Sequence, residues 1–106
     1  MTHEYENIPA YMISGIVRYL THGIVPGSFL QAVFENDLMK AFHNADATNK
    51  QCVAAYAFLL YFLPNDCYGS RDRVEAWSAL RQETPIKLTD LGLPGVLETF
   101  LAGGAR

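Results

Sequence analysis

The sequence predicts an all-α fold: a compact single-domain bundle of about five helices around a central apolar helix. Three observations predict it. Apolar residues recur at three- and four-residue spacing in several separate stretches. Proline and glycine turns punctuate those stretches. The one extended segment, Ile86 to Leu88, has no obvious partner with which to pair as a strand.

The first helix is expected to open at Ile8-Pro9, with Pro9 in the first turn, where a missing N–H costs nothing. Met12, Ile16, Tyr19 and Leu20 form its apolar stripe, and Gly23 is placed as a left-handed C-terminal cap. A Pro26-Gly27 turn follows, then a second helix with Ser28 as N-cap. Leu30, Val33, Phe34, Leu38, Ala41, Phe42 and Ala45 give it helical period over four turns. Asn36-Asp37 lies within or beside that stripe and admits another reading. Asp37 could cap a restart, making Glu35-Asn36 a kink and Leu38 to Ala45 a separate segment, or equally accept hydrogen bonds from the Gly23–Ser28 turn and lock the helix pair.

Thr48 and Gln51 stand at capping-box spacing and open the third helix, which runs through Cys52 to Leu63 and stops at Pro64. It is apolar on every side, so it is either the central post of the bundle or leaves one face for a partner. Ser70 caps a fourth helix presenting Val74, Trp77 and Leu80 inward, with Arg71, Arg73 and Arg81 outward. After the Ile86–Leu88 link, Val96, Leu97, Phe100 and Leu101 form a last short helix ended by Gly103-Gly104. The whole chain, 1–106, reads as one domain, with 1–7 and 103–106 as flexible ends.

Composition narrows the function. Half of the residues are apolar and 18% are charged, below the roughly 25% charged typical of soluble domains. The net charge of −3 is uneven. Glu4, Glu6, Glu35, Asp37 and Asp46 face only Arg18 and Lys40 in the first 48 residues, and the remainder balances. Without a basic field, direct nucleic-acid binding is disfavoured. The first residues carry no secretory pattern, and the apolar run Cys52–Pro64, 13 residues, is too short to span a bilayer. Cys52 and Cys67 are expected as thiols, since about eleven helical residues, ~16 Å, separate them. These features place the protein in a reducing cytoplasm and away from membranes.

Patterns for chemistry are weak. His3, His22 and His43 do not combine with the cysteines at metal-ligand spacing, and His43 with Asp46 makes one helical pair without a second. His22 suits a helix C-terminus through the dipole. Ser28 and Ser70 are taken up as caps, and neither G-x-S-x-G nor a phosphate-cradling loop occurs. No catalytic residue, metal or cofactor is expected. Arg71 and Arg73 at the start of a helix suggest a recognition helix, but Asp72 and Glu75 interleave with them. A solvated helix face explains that pattern better. The favoured site is a partner-binding surface of Glu35, Asn36, Asp37, His43, Asp46 and Tyr61, acidic and with exposed aromatics.

The run Ile8-Pro9-x-Tyr11-Met12, Arg18-Tyr19, Gly23, Pro26-Gly27-Ser28-Phe29-Leu30-x-Ala32-Val33, Asn36-Asp37-Leu38 and Ala45-Asp46 resembles a group of small, largely uncharacterised helical proteins of bacteriophages and prophages. The resemblance extends through Tyr61 to Gly69-Ser70 and Trp77, about two-thirds of the chain, and the segment from Thr84 onward departs from it. It brings no catalytic residues. It implies an accessory protein in the bacterial cytoplasm that inhibits a host protein or defence complex stoichiometrically, as anti-CRISPR proteins do. Separately, Glu35, Asp37 and Asp46 could stand in for phosphates against a nucleic-acid-binding surface of the target. Alternatives are a small-molecule or nucleotide binder and, behind it, a DNA-binding regulator.

Overall fold

A computed structural model describes residues 3–104 as seven α-helices and three 3-10 turns, with no strand among the described residues. The helices are α1 (Ala10–His22), α2 (Ser28–Phe34), α3 (Leu38–Asn44), α4 (Ala47–Lys50), α5 (Val53–Phe62), α6 (Arg71–Glu83) and α7 (Gly95–Gly104). The all-α fold is as the periodicity predicts. The helix count differs because two expected helices each break in two.

The first break is chemical. Asn36 takes a left-handed conformation, φ 63°, which asparagine tolerates better than most residues. Asp37 N–H then reaches back to Ala32 O at 2.9 Å and Asn36 N–H to Val33 O at 3.1 Å. That is a Schellman ending for α2. In the same stroke the Asp37 carboxylate accepts the Lys40 N–H at 3.1 Å and starts α3. The restart, not the continuous stripe, is what forms. Its consequence is a change of phase, so Leu38 and Phe42, expected inward, are 66% and 50% exposed. The second break falls at Gln51–Cys52. Asp46, not Thr48, caps α4, because its carboxylate accepts the Asn49 N–H at 2.8 Å while Thr48 lies inside the helix.

Smaller expectations shift by a residue. Pro9 and Gly27 occupy the N-cap positions of α1 and α2, and Ser28 is already helical. Ser70 caps α6 as expected, accepting the Arg73 N–H. Leu80 stands half out of the core. The described residues of both ends take helical structure. Glu4–Asn7 is a 3-10 turn that buries Tyr5 against Phe62 and Phe100, with ring centroids 5.9 and 5.6 Å away. Gly103 and Gly104 belong to α7. Residues 1, 2, 105 and 106 of the expected flexible ends lie outside the described residues.

The core collects around α1. Ile13, Ile16, Tyr19 and Leu20 are sealed from solvent, each contributing about 1.5–3 kcal/mol through burial. Helix α1 packs on α6 and α7, while α2 lies against α3 and α6. Helix α5 is not a buried post. It packs Ala55, Tyr56 and Leu59 inward and leaves its opposite side open. One face of α5 is thus exposed.

The C-terminal end of α1 is the tightest point. Gly23, at φ 68°, donates its N–H to Tyr19 O at 3.0 Å. Its own carbonyl accepts Ser78 Oγ at 2.6 Å and Gln82 Nε2 at 3.0 Å. Trp77 Nε1 donates to Tyr19 O at 3.3 Å, and Ile86 N–H donates to Thr21 O at 3.0 Å. A Cβ on residue 23 would stand 2.3 Å from the Ser78 carbonyl oxygen. Gly23→Ala therefore combines left-handed strain with a backbone clash. It is expected to cost at least about 2 kcal/mol in urea unfolding. A loss of less than about 0.5 kcal/mol, the scale of a neutral surface change, would refute that account.

Candidate functional site

Two surfaces carry the residues singled out by sequence, and they differ in kind. The first is a cleft of about 90 Å³ between the α2–α3 break and α5. Asn36, Asp37, Leu38 and Ala41 form one wall, and Val53, Ala57 and Leu60 the other. The cleft is apolar except at the end where Asn36 and Asp37 stand. From there apolar surface continues outward in both directions. On α3, Leu38 and Phe42 form one stripe at four-residue spacing, and Met39, 79% exposed, begins the next with His43. On α5, Ala54, Ala57, Phe58 and Tyr61 all face solvent, and no charged or amide side chain interrupts the helix. Phe58 is 52% and Tyr61 80% exposed. The Tyr61 ring is steadied edge-on against Phe62 at 5.2 Å. Lys50 Nζ lies 5.7 Å from the centre of the Phe42 ring at the margin.

The sequence-predicted residues divide accordingly. Asn36 and Asp37 line the cleft, and Tyr61 stands beside it, one turn beyond Ala57. Glu35 is half-buried at the end of α2 and accepts Gln31 Nε2 at 3.1 Å, turned away from the cleft lining. His43 is exposed on the outer side of α3. Sequence reasoning placed Leu38 and Phe42 inward because it carried the phase of α2 across Asn36, and it did not single out Met39.

Asp46 sits on the second surface, where it has structural work. Its Oδ2 accepts the Tyr11 hydroxyl at 2.6 Å and its Oδ1 accepts the Asn49 N–H. Asn49, buried, offers Nδ2 to the Tyr11 oxygen at 3.5 Å and takes the Tyr56 hydroxyl on its Oδ1. This chain of hydrogen bonds ties α4 to α1 and α5. The Tyr11 hydroxyl, then the Asn49 backbone, hold the Asp46 carboxyl below its ordinary value, and the same contact with Asp46 raises Tyr11. The charge stays on aspartate and the proton on tyrosine.

Other chemistry finds little support in the geometry. Both cysteines are free thiols. Burial raises Cys52 and pushes Cys67 up to about 12, so neither is poised as a thiolate. Among the described residues no three His, Cys, Asp or Glu side chains converge to hold a metal ion. Arg71 pairs with Glu75 at 3.2 Å, and Arg73 donates to the carbonyls of Asn65 and Tyr68. The two arginines at the start of α6 are thus engaged within their own neighbourhood. Among the described residues no helix is long and apolar enough to cross a membrane. The chain matches no protein-family model, no curated protein and no solved structure.

Two outcomes follow from the carboxylates. Asp37→Ala removes the α3 cap and is expected to cost about 1 kcal/mol, whereas Asp37→Asn, which still caps, should cost much less. Equal losses in thermal unfolding would show that the charge, not the cap, matters to the fold. Asp46 has a lowered folded-state value, so its contribution is present above the unfolded value of 3.8 and is lost as pH falls through the folded one. Asp46→Asn is therefore expected to flatten the fall in melting temperature below about pH 4. An unchanged acid limb would overturn the assignment.

Proposed function

We propose that this chain is a phage or prophage accessory protein that binds one host protein stoichiometrically in the bacterial cytoplasm, and that this target belongs to a defence complex, in the manner of anti-CRISPR proteins. The observation that carries the binding reading is the uncovered apolar face shared by α3 and α5. Large side chains left in solvent on either side of the cleft, Leu38 and Phe42 on α3 and Phe58 and Tyr61 on α5, are costly for solubility, and such apolar surface marks interaction sites. The aromatic composition matches that of interface centres. Asp37 at the polar end of the cleft makes a partner with an apolar centre and a basic margin the best fit. The choice of a host defence target rests on the sequence resemblance, and free thiols in both cysteines suit a reducing compartment.

The test is capture of a tagged chain from bacterial lysate at moderate salt, run beside the double variant Phe58→Ser, Tyr61→Ser and the single variant Asp37→Asn. One host protein is expected in one-to-one ratio with the wild type, lost with the double variant and reduced with Asp37→Asn. The double variant should keep its helical circular dichroism and unfold within about 0.5 kcal/mol of wild type, since it alters exposed positions. A wild-type chain that comes through alone, or a double variant that captures equally well, would refute the proposal.

A further inference from the structure

A second cleft, of about 200 Å³, lies between α1 and the Ile24–Gly27 loop and shares no lining residue with the α3–α5 cleft. Tyr11, Ser14, Gly15 and Arg18 recur on its α1 side at helical spacing, and Met12 and Leu30 supply apolar floor. Four features set this cleft apart from an accidental groove.

The first is Arg18. It is exposed and makes no ion pair or side-chain hydrogen bond among the described residues, in a chain of net charge −3. The second is Ser14. Thr21 and Thr99 both return their hydroxyls to the carbonyl one turn back, at 2.7 and 2.9 Å. Ser14, one turn from Arg18, has no protein partner for its hydroxyl among the described residues. The third is Tyr11, whose ring is 61% exposed yet whose hydroxyl is fixed by Asp46. An aromatic wall held rigid in solvent is a ready stacking surface. The fourth is Gly15. Glycine inside a helix costs about 0.5–1 kcal/mol relative to alanine. Packing does not demand it here, because a Cβ would meet Leu30 Cδ1 at 3.5 Å, an ordinary contact. What a Cβ would take away is open cleft floor between Ser14 and Arg18.

We propose that this cleft binds a carboxylate carried on an apolar, planar body. Arg18 and the Ser14 hydroxyl take the carboxylate, a geometry in which the guanidinium can donate two parallel hydrogen bonds. The body lies along Gly15 and Met12 toward the Tyr11 ring. Tyr11 and Arg18 are seven residues apart, ~10 Å along the helix, which sets the length of the ligand. Asp46, charged and beyond Tyr11, repels an anion at that end and fixes the direction of binding. Such a carboxylate can be a free aromatic acid or the C-terminal residue of a peptide.

The experiment titrates the full chain by NMR at low salt with 3-phenylpropanoate, with its uncharged amide, and with a hexapeptide ending in phenylalanine. The acid is expected to shift the amide signals of residues 11–18 and 24–30, with the amide analogue bound about tenfold or more weakly. Arg18→Gln should remove that discrimination without altering the melting temperature. Gly15→Ala separates function from packing: it should raise the melting temperature while weakening the acid several-fold. A hexapeptide that binds more tightly than the free acid identifies the source as a chain terminus, and the reverse order identifies a free acid. Absence of shifts at 10 mM acid, equal binding of acid and amide, or an Arg18→Gln variant that binds as wild type would each overturn the proposal.

Discussion

The end of α1 is where the structure is decided. A helix leaves its last carbonyls without internal partners, and burying them unsatisfied is expensive. Here they are buried under α6, and α6 supplies the donors: Trp77 to Tyr19 O, and Ser78 and Gln82 to Gly23 O. Ile86 adds one more to Thr21 O. Only glycine fits at residue 23, since the Ser78 carbonyl lies where any side chain would begin. That close approach fixes α6 against α1. It also places Trp77, over which the Arg81 guanidinium lies at 4.9 Å. The Tyr19 hydroxyl in turn donates to Cys67 O at 2.6 Å, anchoring the turn that leads into α6.

Much of the fold was legible because it follows from local rules. Gly23 as a left-handed cap, Ser70 as an N-cap, Pro64 as the stop after α5 and the all-helical period are each set by one or two residues. The α2–α3 break was legible only as an alternative. Seven apolar residues from Leu30 to Ala45 keep a perfect helical rhythm, and rhythm cannot show that one intervening residue has turned left-handed. Asn36-Asp37 was the only signal, since both residue types favour ends over interiors. At α4, Asp46 and Thr48 compete for the cap, and the tie to Tyr11 across 35 residues favours Asp46. No local pattern contains that contact.

The candidate site shows the same division. Asn36, Asp37 and Tyr61 were singled out from charge and aromatic content, and they stand at or beside the α3–α5 cleft. Both Asp46 oxygens are taken by Tyr11 and Asn49 and Glu35 is bonded by Gln31 outside the cleft lining, whereas Asp37, with one oxygen on the Lys40 N–H, stands in the cleft wall. Net charge counts them alike. Availability for a partner depends on which lone pairs the fold has already used. The neglected cleft beside α1 was hidden for the opposite reason: Arg18 and Ser14 look ordinary in sequence, and only the lack of partners around them is informative.

The bonds that close α1 span 55 to 59 residues of chain. A ribosome adding about 5–20 residues per second releases α1 several seconds before its closing donors exist. Through that interval the C-terminal end of the first helix lacks the donors that close it, although its tie to Asp46 and its packing on Phe34 are already within reach. The N-terminal two-thirds of the chain can gather but cannot lock, and completion waits for α6 to leave the exit tunnel. Closure of α1 is in that sense delayed until α6 has been made, set by where one glycine must meet one serine.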